Sequence, residues 1–234
     1  YAPCAARARM FLPRGRSLKK VFLARTFCIA ALVFPAFPRY SRDRKTQTDI
    51  FTGVFAVEIP LQEFERAAQR LKGVLHHTEL DLSATFSAMT GGNIYLKYEN
   101  SQKTGSFKIR GASNKIAALV ERGETGAVVA SSAGNHAQGV AYAAHRFGIP
   151  ATIVMPKTAP IAKAKATEGY GATVVLAGDC YDDAYAKACE ICEQEHATFL
   201  HPYNDPEVIA GQGTLGLETV SYTHLRAHET DSYL

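Results

Sequence analysis

Two short stretches hold the residues that could do chemistry. The first is Ser106-Phe107-Lys108-Ile109-Arg110-Gly111-Ala112, and the second is Ser131-Ser132-Ala133-Gly134-Asn135-His136-Ala137-Gln138. A lysine acts as a nucleophile only when neutral, and a confined site favours that form by disfavouring the charge. Lys108 stands near a helix start between Phe107 and Ile109, and lysines are seldom set among apolar neighbours without a reason. The bland alternative is a solvated lysine on an amphipathic helix, the reading that suits Lys115. The second stretch is a turn of small residues opening a helix, and such turns present backbone N–H groups to an anion. Together they suggest a carbonyl-bearing cofactor held by Lys108 as a Schiff base, beside a loop that receives a carboxylate.

The elements around these stretches alternate between helix and strand. Leu61, Phe64, Ala67, Ala68 and Leu71 recur at helical spacing behind Pro60. Residues 93–98 alternate as a strand, and residues 106–122 read as a helix with Ile109, Ala112, Ile116 and Leu119 on one side. A buried strand is expected at 127–130, then a helix at 135–147 that ends at Gly148. Strand 151–155, helix 161–170, strand 172–176, helix 182–196 and strand 198–200 follow, with a last helix running from Pro206 into Glu218. Strands alternating with helices across short loops predict βαβ units and a mainly parallel sheet covered on both faces. Ligands of such sheets bind beyond the carboxyl ends of the strands, and the Ser131–His136 turn directly follows one.

The two motifs resemble those of threonine dehydratase (threonine ammonia-lyase). The likeness includes Tyr95-Leu96-Lys97-Tyr98-Glu99-Asn100 before them and His201-Pro202-Tyr203 and Gly211-Gln212-Gly213-Thr214 after. This family belongs to the pyridoxal-phosphate enzymes of fold type II, built like the tryptophan synthase β chain. The resemblance runs from about Val57 to Glu218 and implies an α/β fold of two open parallel-sheet domains, the larger one incomplete here. Residues 57–126 would be the first part of the large domain, 127–204 the small domain, and 205–219 the start of the large domain's remainder.

The resemblance also assigns roles. Lys108 would carry pyridoxal 5'-phosphate and, once displaced by the substrate amine, take the Cα proton. Phe107 would pack on the pyridine ring, and Asn135 would hydrogen-bond the ring oxygen. Ser132, Ala133, Gly134, Asn135 and His136 would receive the substrate carboxylate. Read from the residues alone, Phe107 is equally a core residue, Asn135 a helix cap, His136 a hydrogen-bonded structural residue and Arg110 an ion-pair partner. The implied activity is dehydration and deamination of L-threonine, and of L-serine, to a 2-oxo acid and ammonia. The implied setting is a cytoplasmic homo-oligomer acting on a small amino acid, with no nucleic-acid or membrane partner. Serine racemases are related, but have a serine where this chain has Ala133, and commonly an asparagine where it has Tyr203. Racemisation needs an acid or base on each face of the Cα carbanion, and Ala133 has no proton to give.

Composition bounds the rest. The 234 residues are 47% apolar, ordinary for a globular protein. The formal charge of +4 conceals a split: residues 1–50 carry 11 Lys and Arg against 2 Asp and Glu, while the remainder is net acidic. A mildly acidic body gives no hint of nucleic-acid binding. Five scattered cysteines do not form a disulfide framework, and Cys189-x-x-Cys192 lacks the second pair that a zinc site requires.

Both ends depart from the pattern. Residues 1–56 read as a leader or a non-native upstream segment: Lys19-Lys20 and the apolar run 21–37 imitate a targeting signal, but Arg25 interrupts it and no clean cleavage site follows. Residues 220–234 break the preceding pattern and read as a non-native tail. The glycine-rich phosphate run that the resemblance implies has no match in the chain. A third reading is therefore a truncated, non-catalytic fragment whose unfinished sheet edge and apolar surface favour aggregation.

Overall fold

The computed structural model describes residues 22–23, 30–33 and 58–231, with side chains over 58–222. Its first part holds β1 (Phe22–Leu23), β2 (Ala30–Val33), α1 (Leu61–Arg70), β3 (Leu80–Leu82), α2 (Ala84–Thr90), β4 (Ile94–Lys97) and α3 (Lys108–Glu121). Its second part alternates β5 (Val128–Ser131), α4 (Asn135–Phe147), β6 (Ala151–Met155), α5 (Ile161–Gly169), β7 (Thr173–Leu176), α6 (Tyr181–Gln194) and β8 (Thr198–Phe199), and ends in α7 (Pro206–Asp231).

The second part carries the expected parallel sheet. Its strand order is β7-β6-β5-β8, with Val128 opposite Ala151 and Thr198 in register. Strands with β-branched residues on both faces must be covered on both, and they are. Val128, Ala130, Ile153 and Met155 pack under α3 and α4 with Ile116, Leu119, Val140 and Ala144. The alternate residues Val129 and Val154 face α6 and meet Ala184, Ala188 and Ile191. The chain steps from β5 outward to β6 and β7, then returns to the other side of β5 as β8. That reversal is a topological switch point, where the crevice beyond the carboxyl ends of β5 and β8 opens.

The strands of the first part pair differently. Their order is β1-β2-β4-β3 and every pairing is antiparallel, so this sheet departs from the second parallel sheet that the resemblance implied. For β3 and β4 the reason is connection length. Parallel neighbours need a crossover of about a dozen residues or more, and between β3 and β4 lies little beyond the seven-residue α2. Residues 30–33 lie along β4 within a stretch expected to stand apart from the body. The rest of that leader expectation falls outside the described residues.

Helix ends follow local chemistry. Gly148 closes α4 at φ 69°, a conformation that costs glycine nothing. By contrast, α7 does not stop where the tail expectation placed a break. Its backbone continues to Asp231, since the sequence beyond Val220 contains no glycine or proline to end it.

Three helices cross at backbone distance, and glycine makes this possible. A Cβ on Gly211 of α7 would lie 2.6 Å from the Arg110 carbonyl oxygen of α3, and one on Gly111 would lie 2.7 Å from the Val208 carbonyl. On the other side of α3, a Cβ on Gly139 of α4 would lie 3.2 Å from the Lys108 carbonyl oxygen. Gly211→Ala should therefore force α3 and α7 apart and destabilise the chain by about 1–3 kcal/mol, the usual cost of overpacking. Urea midpoints would show this, and an unchanged midpoint would mean that the helices can slide freely.

Candidate functional site

Lys108 is the first residue of α3, and its N–H donates to Ser106 Oγ at 3.3 Å. Its half-buried side chain reaches across to the segment after β8, where Nζ donates to the Pro202 carbonyl at 2.7 Å. The amine also lies 5.6 Å from the centroid of the Phe107 ring, within cation–π range.

A buried ionic cluster fixes the start of this helix. Arg110 has no exposed surface, and its Nε and Nη2 donate to the two oxygens of Glu99 at 2.7 and 2.8 Å. Nη1 and Nη2 donate to Glu218 of α7 at 2.7 and 3.0 Å. Lys97 Nζ completes the group through Glu218 at 2.5 Å and the Thr78 carbonyl at 2.6 Å. Burial draws the Arg110 pKa down, but the bonds and charges of Glu99 and Glu218 outweigh it and hold the guanidinium above its usual value. Arg110 is thus the ion-pair partner that its residue type suggested.

Glu218 shows the same balance with the opposite sign. Burial raises its pKa, and the hydrogen bonds from Arg110 and Lys97 outweigh that and hold it below the ordinary 4.5. A carboxylate depressed in the folded state adds stability that is present above its unfolded pKa. That stability is lost as pH falls through the folded value. The unfolding midpoint should decline below pH 4.5, and Glu218→Gln should reduce that slope. An identical acid profile in the variant would place the acid lability elsewhere.

The turn after β5 leads into α4, whose His136 feels the charge of Lys108. The Ser132 N–H donates to Val154 O at 3.1 Å and the Gly134 N–H to Ser132 Oγ at 3.2 Å. Those two donors are engaged within the protein, which narrows the carboxylate-binding expectation to Ala133 and the first turn of α4. A Cβ built on Gly134 would meet nothing within 4 Å, so there is room over the turn for a ligand. Asn135 is the first residue of α4 and does not cap it, because Gly134 holds the cap position without a side-chain bond. Instead its Oδ1 accepts from Lys163 Nζ at 3.5 Å. One turn further along α4 sits Gly139, against the backbone of Lys108, so Asn135 and Lys108 share one side of the α3–α4 contact.

His136 is buried, and its Nε2 lies 3.0 Å from the Leu200 carbonyl. Burial drives its pKa down to about 4; the Leu200 bond opposes this, while the charges of Lys108 and His201 add to it. Two buried polar atoms at this turn, Ser131 Oγ and His136 Nδ1, have no hydrogen-bond partner among the described residues. Open space, buried polar atoms without a partner among the described residues, an amine and an aromatic ring fit the ring end of pyridoxal phosphate, which Lys108, Phe107 and Asn135 would hold.

The structure sets Phe107 and Lys108 at the start of α3 and the 132–136 turn at the start of α4, with the Lys108 charge acting on His136 and Gly139 of α4 packed on the Lys108 backbone. It adds groups that sequence reading missed: the Leu200 and Pro202 carbonyls and the close-packed Gly139. Only Gly139 left a signal, as a glycine inside a helical pattern. Gly211-Gln212-Gly213 lies within α7, with Gly211 against α3. A cavity of about 320 Å³ between α1, α3 and α7, lined by Leu71, His77, Arg110 and Leu217 among others, does not include Lys108.

Known proteins resemble this chain in sequence and fold. The family described as pyridoxal-phosphate dependent enzyme matches residues 72–231. The L-threonine ammonia-lyase of Thermotoga maritima is 59% identical over 160 residues, covering 68% of this chain and 40% of that protein. Among solved structures, a T.th. threonine deaminase superposes with a TM-score of 0.65 at 42% identity, covering 70% of this chain and 51% of that one. A pyridoxal 5'-phosphate-dependent aspartate racemase gives a TM-score of 0.68 at 36% identity, covering 70% of this chain and 52% of that one. The chain spans 40–50% of the length of the first two curated relatives it matches. Its parallel sheet, its lysine at the switch point and these matches agree, and the chain belongs to the pyridoxal-phosphate dependent enzymes.

Proposed function

We propose that the protein dehydrates and deaminates L-threonine, and with it L-serine, to a 2-oxo acid and ammonia, with pyridoxal 5'-phosphate as cofactor. The observation that carries this reading is that the Lys108 amine is held on the Pro202 carbonyl just beyond β8, while the 132–136 turn follows β5, the strand paired with β8, and the Lys108 charge acts on His136 in that turn. The names of the relatives, threonine ammonia-lyase and threonine deaminase, support it. When bound, the cofactor supplies an electron sink for charge at the substrate's α-carbon.

The chain's own residues supply the rest. Lys108 Nζ is the base that takes the α-proton, and the turn from Ala133 into the first turn of α4 receives the carboxylate. The β-hydroxyl leaves as water, and a water returns at the α-carbon as ammonia departs, so the net conversion needs no oxidant. Ala133 can neither donate nor accept a proton, which leaves the face of the α-carbon opposite Lys108 without a partner from this position. No helix among the described residues is long and apolar enough to cross a membrane. We place the full protein in the cytoplasm as a homo-oligomer with a small amino acid as substrate and no nucleic-acid partner.

A racemase is the second reading, favoured by the likeness to the aspartate racemase and to maize serine racemase at a TM-score of 0.66. Assaying 2-oxo acid from L-threonine against D-serine from L-serine separates the two. Oxo acid with little D-serine is the expected result, and D-serine as the main product would overturn it. A non-catalytic fragment would yield neither.

A further inference from the structure

The segment just beyond β8 touches both halves of the site with main-chain oxygens. The Leu200 carbonyl accepts from His136 Nε2 at 3.0 Å, and the Pro202 carbonyl accepts from Lys108 Nζ at 2.7 Å. Between them the His201 ring turns back, its Nδ1 accepting from the N–H groups of Tyr203 at 3.3 Å and Asn204 at 2.8 Å. The ladder to β5 reaches as far as Leu200, whose N–H donates to the Val129 carbonyl at 2.8 Å. Pro202 has no N–H with which to continue it.

We propose that His136 is a positioning residue for the Lys108 amine. It anchors the Leu200 carbonyl and thereby sets the place of the Pro202 carbonyl that holds Nζ. This rests on the reading of Lys108 as the cofactor-bearing amine. A carbonyl oxygen only accepts, so Nε2 carries the ring proton. The groups acting on the ring are the Leu200 carbonyl and the charges of Lys108 and His201, and burial outweighs them all in keeping it neutral. The donor therefore persists across the working range, and the ring adds no second positive charge beside Lys108. Without that donor the Leu200 oxygen is buried with one partner fewer, the segment loosens, and Lys108 loses an acceptor that favours its ammonium form.

Two variants separate positioning from simple packing. His136→Gln carries an N–H donor at about the reach of Nε2, whereas His136→Asn is polar but too short. Competitive anhydride labelling of lysine amines, read by mass spectrometry at one neutral pH, needs no cofactor. We expect Lys108 to label faster in His136→Asn by roughly fivefold, the factor that one ordinary hydrogen bond is worth. His136→Gln should stay close to the parent, with Lys115 and Lys187 unchanged in both. Equal Lys108 labelling in all three chains would overturn the proposal. So would a change of equal size in the Gln variant, or one shared by the other lysines. Borohydride trapping of added pyridoxal phosphate on the parent chain is run beside it. Failure there removes the cofactor reading of Lys108, and the labelling result stands apart from it.

Discussion

Lys108→Ala should abolish borohydride-stable attachment of pyridoxal phosphate to the chain and lower 2-oxo-acid release from L-threonine by about 10²–10⁴-fold or more. That range is what a positioned acid–base group contributes, before the covalent anchor is counted. The expectation follows from placement. Nζ is held on the Pro202 carbonyl just beyond β8, with the Phe107 ring beside it. The change should leave the fold intact, since alanine is the better helix former and a half-buried side chain is lost. Lys115 is the internal control. It lies on the same helix, but its Nζ pairs with Asp205 at 2.9 Å and Glu207 at 2.7 Å. Lys115→Ala should cost some stability and keep cofactor attachment. Cofactor trapped on a different lysine in Lys108→Ala would refute the assignment, whatever happened to the rate.

How much of this could be read beforehand depends on whether a feature has a local signature. The βαβ part could be read because each element carries its own period and punctuation. The residues of α4 and β6 fall where the pattern put them, from Asn135 to Phe147 and from Ala151 to Met155. The first sheet could not, because β3 is three residues long and the partners of β4 are set by distant chain, which no short window reports. Lys108 and the Ser132–His136 turn stood out by residue type. The Leu200 and Pro202 carbonyls did not, since every residue has a carbonyl and only the fold decides which two point into a crevice. Strand order is likewise invisible in a linear pattern, so the switch point between β5 and β8 emerged only with the structure. Asn135 is the reverse case. Its type suggested a cap, the chain shifted the cap to Gly134, and the amide was left facing Lys163.

Arg110→Met should destabilise the chain by about 3–5 kcal/mol, the cost of removing one partner from a buried ion pair. The charge count explains why. Arg110 and Lys97 balance Glu99 and Glu218, and Arg110 and Glu99 have no exposed surface. Without the guanidinium, Glu99 keeps its bond from the Thr78 hydroxyl at 2.6 Å but has lost its counter-charge. Glu218 is better placed, because Lys97 remains and the carboxylate is partly exposed. Arg110→Lys should recover little, since a point charge cannot satisfy two carboxylates with a planar fork. Glu99→Met combined with Arg110→Met removes both charges, and should cost less than the sum of the single changes by about 0.5–3 kcal/mol. Urea unfolding of the four chains closes the cycle, and strict additivity would mean that the pair is not coupled. The cluster's second consequence concerns Lys108, two residues earlier on the same helix. It ties α3 to β4 and α7 just where the lysine must be aimed. Cofactor trapping should therefore weaken in Arg110→Met even under conditions where the chain is still folded, and a variant that is less stable but traps normally would confine Arg110 to holding the fold.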